Sequence, residues 1–184
     1  MSPSFEDPLL VRAELPEDAP AIRRINEAAF GRTAEAGIVD VLRTKGAVIL
    51  SMVAVSSPAG CGEAEGLPVA HALFSPVTIG TGNTAAAAVG MGPVAVLPEW
   101  QGQGVGTMLV ETSLEILRMA RLSAVVVLGH ARLYARFGFL PAKEWGLTLG
   151  MDVPQGAFMV LELQAGALAG TAGEVRYRPE FSEG

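Results

Sequence analysis

Three glycines at alternate positions, Gly102, Gly104 and Gly106, stand between a short β-branched run and a long stretch of helical periodicity. Val94-Ala95-Val96-Leu97 has the composition of a buried strand. Pro98 ends it, because proline lacks the ladder donor and fixes φ. The glycines then keep side chains away from a backbone that another group approaches closely. From Val105 the apolar spacing becomes that of a helix. A strand, a glycine loop and a helix start aim free N–H groups and the positive end of a helix dipole into the loop. Such a cradle suits an anion, and phosphate above all.

The rest of the chain sets bounds on this reading. Its 184 residues are enough for one domain with a substantial core. Half are hydrophobic, and the mean hydropathy is +0.39, yet no apolar run approaches the roughly 20 residues of a membrane helix. Met1–Pro8 lacks the basic and apolar regions of a signal peptide. A single cysteine, Cys61, rules out an internal disulfide, and with two histidines it makes no zinc site without added carboxylates. The expectation is a soluble, cytoplasmic protein without a metal and without a membrane partner. A net charge of −6 and a pI of about 4.9 argue against a nucleic-acid-binding face.

Taken in order, Leu9–Glu14 reads as a first strand, and Pro16-Glu17-Asp18 opens a helix that ends at Gly31. Its apolar face is read as Ile22, Ile25, Ala29 and Phe30. A second helix is expected over Glu35–Arg43 with Ile38, Val41 and Leu42 inward. Strands are expected at Val48–Val55, at Val69–Phe74 with a resumption at Val77–Ile79, and at Ala85–Leu97. Gly80–Asn83 reads as a turn, and Gly90 and Gly92 suggest a bulge or a close neighbour. The helix after the loop, about Val105–Arg121, shows an apolar arc of Val105, Met108, Leu109, Ile116, Leu117 and Met119. Ala124–Leu128 is apolar throughout, as a strand buried on both faces is. This strand–helix–strand unit predicts a parallel pair. A short helix at Arg132–Phe137, a strand at Ala157–Leu163 and a short strand at Val175–Tyr177 complete the chain. The class is α/β or α+β, a mixed and mostly antiparallel sheet of about six or seven strands flanked by helices.

Two familiar phosphate loops fail here on chemistry. A P-loop needs a lysine after its last glycine, and none follows these. A dinucleotide loop needs a third glycine where Thr107 stands, and an acidic residue about 20 positions on. No Asp or Glu occurs between Glu115 and Glu144. By contrast, Gln101-Gly102-Gln103-Gly104-Val105-Gly106 resembles the Gln/Arg-x-x-Gly-x-Gly/Ala signature of the GNAT superfamily of N-acetyltransferases. Leu97-Pro98-Glu99-Trp100 resembles the end of that family's central strand, and Tyr134-Ala135-Arg136-Phe137-Gly138-Phe139 resembles its Tyr-x-x-x-Gly-Phe element. Within the superfamily the chain is most similar to the YhbS-like branch, through His71–Val77 and Ala157–Leu163. It departs from that branch at Gly129-His130-Ala131, where Gly-Asp-Pro is usual.

The resemblance implies an acetyltransferase domain over residues 1–165, with 166–184 a C-terminal extension packed on it or trailing it. It also implies a splayed central parallel pair of strands and acetyl-CoA as cosubstrate. The main chain of Gln101, Gly102, Gln103, Gly104, Val105, Gly106 and Thr107 is expected to hold the pyrophosphate. Val94, Ala95 and Val96 are expected to pair their main chain with the pantetheine arm while their side chains sit in the core. A backbone N–H near Val96 would polarise the thioester carbonyl. Tyr134 matches the tyrosine that protonates the departing thiolate.

Other residues admit plainer roles. Glu27, His71 and His130 are candidate bases for an amine that must lose a proton before attack. His71, set among apolar neighbours, reads more naturally as a satisfied sheet histidine, whereas Trp100 and Trp145 fit the lining of a substrate pocket and plain packing equally well. No basic neighbour activates Cys61. The acceptor is a primary amine, whether a small molecule, a protein N-terminus or a lysine. A non-catalytic acyl-CoA-binding or sensor protein is the alternative, a longer acyl donor is open, and the chain is a monomer or a homodimer.

Overall fold

In the computed structural model, residues 9–57, 66–80 and 88–181 are described. Met1–Pro8, Cys61 and the turn residues beyond Gly80 lie outside them. The chain forms β1 (Leu9–Ala13), α1 (Ala19–Phe30), α2 (Ala34–Thr44), β2 (Leu50–Ser56), β3 (Leu67–Pro76) and β4 (Thr78–Ile79). Then follow β5 (Ala88–Val96), α3 (Val105–Met119), β6 (Ala124–Leu128), α4 (Ala131–Tyr134), β7 (Leu140–Pro141), β8 (Leu147–Leu149), β9 (Phe158–Glu162) and β10 (Gly173–Arg176). A seven-stranded sheet has the order β1-β2-β3-β5-β6-β9-β7. A second sheet, not anticipated, has the order β4-β10-β8. Among the described residues no helix is long and apolar enough to cross a membrane.

The expected mixed sheet is present. β1 and β2 run antiparallel, as do β6 with β9 and β7 with β9, whereas β5 and β6 run parallel from Ala88↔Ala124 to Met91↔Val127. That pairing stops at Met91, although β5 continues to Val96. β6 itself ends one residue further on, at Leu128, while β5 changes register against β3. Val77 N donates to the Ala88 carbonyl and Leu97 N to the Val69 carbonyl, so β5 advances one residue more than β3 between these bonds. Gly92, at φ 151°, sits within that interval in a conformation that only glycine adopts easily. Of the bulge or close neighbour expected at Gly90 and Gly92, the bulge lies in this interval, and the close neighbour is the Tyr177 ring, whose Cε1 would stand 2.3 Å from a Cβ at Gly90.

The chain divides into two compact units. One takes in the chain up to Leu73 together with Pro93–Ser113; the other takes in Phe74–Gly92 and the chain from Leu114 onward. The core of the first includes Ile22 and Ile25 of α1, Ala36, Val39 and Leu42 of α2, and Met52–Val55 of β2. The faces read from the sequence were set too wide. Phe30 and Val41 are each 40% exposed, since the buried stripe of α1 runs through Ile22, Ile25 and Asn26 and that of α2 through Ala36, Val39 and Leu42. Similarly, α3 buries Val105, Leu109, Val110, Leu114 and Leu117, and Met119 is 81% exposed. Spacings of three and four residues define the covered stripe, and Met119 falls on the far side of it.

The second unit packs Val77, Ile79, Ala88, Ala124, Val126, Ala142, Leu147, Phe158, Val160, Leu168 and Val175 into one cluster, with Trp145 and Tyr177 against it. Trp145 is thus a packing residue. Leu168 and Val175 bring the segment beyond residue 165 into this core, and β10 holds it there by pairing with β4 and β8.

Candidate active site

The glycine loop lies within the first unit. After β5 a short 3-10 turn, Pro98–Trp100, buries Trp100 and leads into four exposed residues, Gln101–Gly104. Gly102 and Gly104 have φ of 73° and 84°. A Cβ built on either would meet nothing within 4 Å, so the loop presents bare backbone to open space. The first helical bond of α3 runs from Met108 N to the Gly104 carbonyl at 3.0 Å. Gly104 is therefore the N-cap, and the N–H groups from Gly104 to Thr107 have no partner within the helix. Free N–H groups at a helix start carry the positive end of the helix dipole, which suits an anion. Gly106 has a packing reason besides, since a Cβ there would stand 3.3 Å from Val96 Cγ2.

Two side chains brace the loop. Gln101 Nε2 donates to the Val96 carbonyl at 2.9 Å, and Gln103 Nε2 donates to the Glu99 carbonyl at 2.7 Å. The sequence reading assigned these glutamines only main-chain roles. Their side chains tie the loop to the end of β5 and to the turn behind it.

Main-chain direction separates Val94, Ala95 and Val96. Leu97 N bonds to β3, and strand groups alternate, so Ala95 faces β3 while Val94 and Val96 face the other edge. The Val96 carbonyl on that edge accepts from Gln101. The N–H groups of Val94 and Val96 and the Val94 carbonyl lie along the same edge. The expected core placement holds for Ala95, which is 2% exposed. Val94 and Val96 are half-buried instead, because the pleat turns them to a partly open face.

Tyr134 belongs to the second unit, at the end of α4. Its ring meets Phe139 edge-on at 5.7 Å and Phe137 at 6.5 Å. It also lies against Gly129, where a Cβ would come within 2.7 Å of Tyr134 Cε2. Any side chain at position 129 displaces this ring. Burial raises the Tyr134 phenol above its ordinary pKa, so the group keeps its proton through neutral pH. The candidate base His130 is exposed at the start of α4, and Glu27 is ion-paired with Arg23 at 3.1 Å.

His71 is fully buried, with both ring nitrogens engaged. Asn26 Nδ2 donates to Nδ1 at 3.1 Å, which leaves Nε2–H to donate to Ser51 Oγ at 3.0 Å. Ser51 in turn donates to Glu14, and Arg43 grips both Glu14 oxygens at 2.7 and 3.1 Å. Burial opposes charge on Glu14, but hydrogen bonds from Arg43 and Ser51 outweigh it and hold the carboxyl below its usual range. Burial also lowers His71 to about 4, against the pull of Glu14 and with the push of Arg43. His71 is thus a neutral structural histidine at pH 7.

This predicts acid sensitivity of defined sign. The unfolded chain protonates His71 near pH 6.5, and the folded chain protonates it only near 4. Stability is full above the upper value and falls as the pH drops between the two. Lowering the pH from 7 to 5 should therefore cost about 2 kcal/mol in urea unfolding. A His71→Gln variant should be weaker at pH 7 yet flat across that window. A wild-type stability unchanged between pH 7 and 5 would exclude a neutral buried His71.

With this geometry in place, likeness to known proteins becomes informative. A family model described as an acetyltransferase (GNAT) domain matches residues 62–141, a span that includes the loop and Tyr134. Over 174 residues the chain is 36% identical to YhbS of Escherichia coli K12, called an uncharacterized N-acetyltransferase, covering 95% of this chain and 99% of that protein. The crystal structure of E. coli YhbS in complex with CoA superposes with a TM-score of 0.88 at 34% identity, over 98% of this chain and 95% of that one. A GNAT family acetyltransferase from Brucella melitensis, in complex with acetyl-CoA, gives a TM-score of 0.75 at 33% identity, over 96% and 99% of the two chains. On its loop, its fold and its likeness to YhbS along nearly the whole length, the chain belongs to the GNAT family of acetyltransferases.

Proposed function

We propose that this chain is an acetyl-CoA-dependent N-acetyltransferase, moving an acetyl group to a primary amine by direct attack in a ternary complex. The observation that carries the reading is the exposed loop whose bare glycines lead into the unpaired N–H groups at the start of α3. The CoA and acetyl-CoA complexes of YhbS and of the Brucella protein support the same ligand. Main-chain N–H groups of Gln101–Thr107 would bind the pyrophosphate, and the free edge at Val94 and Val96 would hold the pantetheine amides. Residues 1–165 are read as the acetyltransferase domain and 166–184 as its C-terminal extension.

Bound acetyl-CoA supplies an activated acyl group. The amine forms a C–N bond to its carbonyl carbon as the C–S bond breaks. Val96 N–H stabilises charge on the carbonyl oxygen, and Tyr134 Oη gives the departing sulfur a proton. The proton lost by the amine does not go to His71, which is buried with both nitrogens occupied; exposed His130 or solvent takes it.

An acetyl-CoA-dependent thiol-release screen over small amines, amino acids and peptides tests this reading. At least one amine class should release thiol in proportion to acetylated product. Acetyl-CoA binding without release across the whole panel would favour the non-catalytic acyl-CoA-binding protein instead.

A further inference from the structure

The proposed donor is a polyanion, and the loop assigned to it offers no cation. CoA carries a pyrophosphate and, on its ribose, a phosphomonoester with a charge of about −1.5 to −2 at neutral pH. Main-chain N–H groups of Gln101–Thr107 account for the pyrophosphate alone. No Lys or Arg occurs between Lys45 and Arg118, so the loop has no cationic side chain on either flank. A net charge of −6 works against an anion from a distance. The phosphomonoester therefore needs a local positive site elsewhere in the chain.

Many of the arginines are already engaged. Arg12, Arg23, Arg32, Arg43, Arg176 and Arg178 each hold a carboxylate. By contrast, the stretch between Glu115 and Glu144 has five cations, Arg118, Arg121, Arg132, Arg136 and Lys143, and no acid. Arg118 and Arg121 precede β6, whereas Arg132 and Arg136 follow it, on α4 and the turn that continues it. Both Arg132 and Arg136 are exposed, and among the described residues neither has an acidic partner. They stand four residues apart, about one helical turn, and so share a side. Arg136 is also braced, its guanidinium lying 5.6 Å from the centre of the Phe137 ring. Tyr134, buried, falls midway between them in the sequence. Positions two apart do not face each other on a helix, so the phenol and the guanidiniums point apart. That suits a long donor whose thioester and ribose phosphate lie at opposite ends.

We propose that Arg132 and Arg136 form a second phosphate site, which takes the ribose phosphomonoester of CoA and selects CoA over its dephosphorylated form. The inference rests on CoA as the donor in the proposed reaction. Guanidinium forks match the several oxygens of a phosphomonoester, and both stay charged at every working pH. No bond is made or broken there, so the site acts on donor affinity and leaves the chemical step alone.

Calorimetric titration with CoA and with dephospho-CoA reads the site without any acceptor. Wild type should bind CoA about tenfold more tightly at low salt. Arg132→Gln and Arg136→Gln should each lower CoA affinity about threefold and leave dephospho-CoA unaffected. The double variant should bind the two ligands equally and melt close to wild type, because neither side chain holds a carboxylate. A control that combines Arg118→Gln with Arg121→Gln removes the same charge before β6 and should keep the tenfold preference. Equal affinity of wild type for both ligands overturns the proposal, as does a preference that survives in the Arg132, Arg136 double variant. A preference lost just as fully in the Arg118, Arg121 control overturns it too, since the field of the whole chain would then be acting. Binding of neither ligand by wild type instead sinks the CoA reading on which the site depends.

Discussion

Tyr134→Phe should lower kcat about a hundredfold, within the range that a lost general acid produces, and leave the dissociation constant of acetyl-CoA unchanged. The substitution keeps the ring against Gly129, Phe137 and Phe139 and removes only the oxygen. The folded chain should therefore melt as wild type does. A free thiol has a pKa near 8.5 and an ordinary phenol about 10, so proton transfer proceeds only together with C–S cleavage. Burial shifts the phenol still higher. Wild-type activity should then hold on the alkaline side until above pH 10, because the acid remains protonated to that point. Product release measured with saturating acetyl-CoA, alongside calorimetric binding of the donor, separates the two effects. Equal turnover in variant and wild type would remove Tyr134 from the reaction; a weakened donor affinity would make it a binding residue.

The strand–loop–helix–strand around Gly102–Gly106 was legible because each of its signals is local. Pro98, the glycines and the apolar run of Ala124–Leu128 act within a few residues of themselves. The bulge was legible for the same reason, as a glycine inside a strand. Helix faces were harder, since Phe30, Val41 and Met119 are apolar but uncovered. Which part of an apolar arc is buried depends on what packs there, and a single helix does not carry that information. β7 and β8 have two and three residues, too few for any period to register. β4 was read as the resumption of β3, yet it pairs with β10 nearly a hundred residues later.

The site shows the same division. The loop and Tyr134 belong to compact motifs. The His71 network joins Asn26, Ser51 and Glu14 across sequence separations of 45, 20 and 37 residues. No spacing in the sequence announces it, although isolation of a histidine among apolar neighbours did point to a satisfied core group. The Gln101 and Gln103 side chains were missed because their partners are carbonyls, which every residue possesses. A close neighbour at Gly90 was legible, but its identity as Tyr177 was not, because that ring comes from the tail rather than from nearby residues.

The loop itself invites a test in which stability and binding part company. Gly104→Asp places a carboxylate at the N-cap of α3, facing space that is empty in the free chain. The residue sits at φ 84°, a conformation that costs most side chains about 1–2 kcal/mol. Asp tolerates it better than most, but relative to glycine an Asp at a helix N-cap gains only a few tenths of a kcal/mol. The urea midpoint should hence fall modestly, by about the same amount in Gly104→Asp and Gly104→Asn. Acetyl-CoA affinity should separate the two, because the Asp carboxylate competes for the very N–H groups that a phosphate needs and repels its charge. A loss of about a hundredfold is expected, equivalent to about 2.7 kcal/mol. Gly104→Asn supplies the matching shape without the charge and should lose much less. High salt should narrow the gap between the two variants by screening the repulsion. Were Gly104→Asp to bind acetyl-CoA as tightly as wild type, the N-terminus of α3 would not be the phosphate site. Were both variants to lose affinity equally at every salt concentration, shape rather than charge would control the loop.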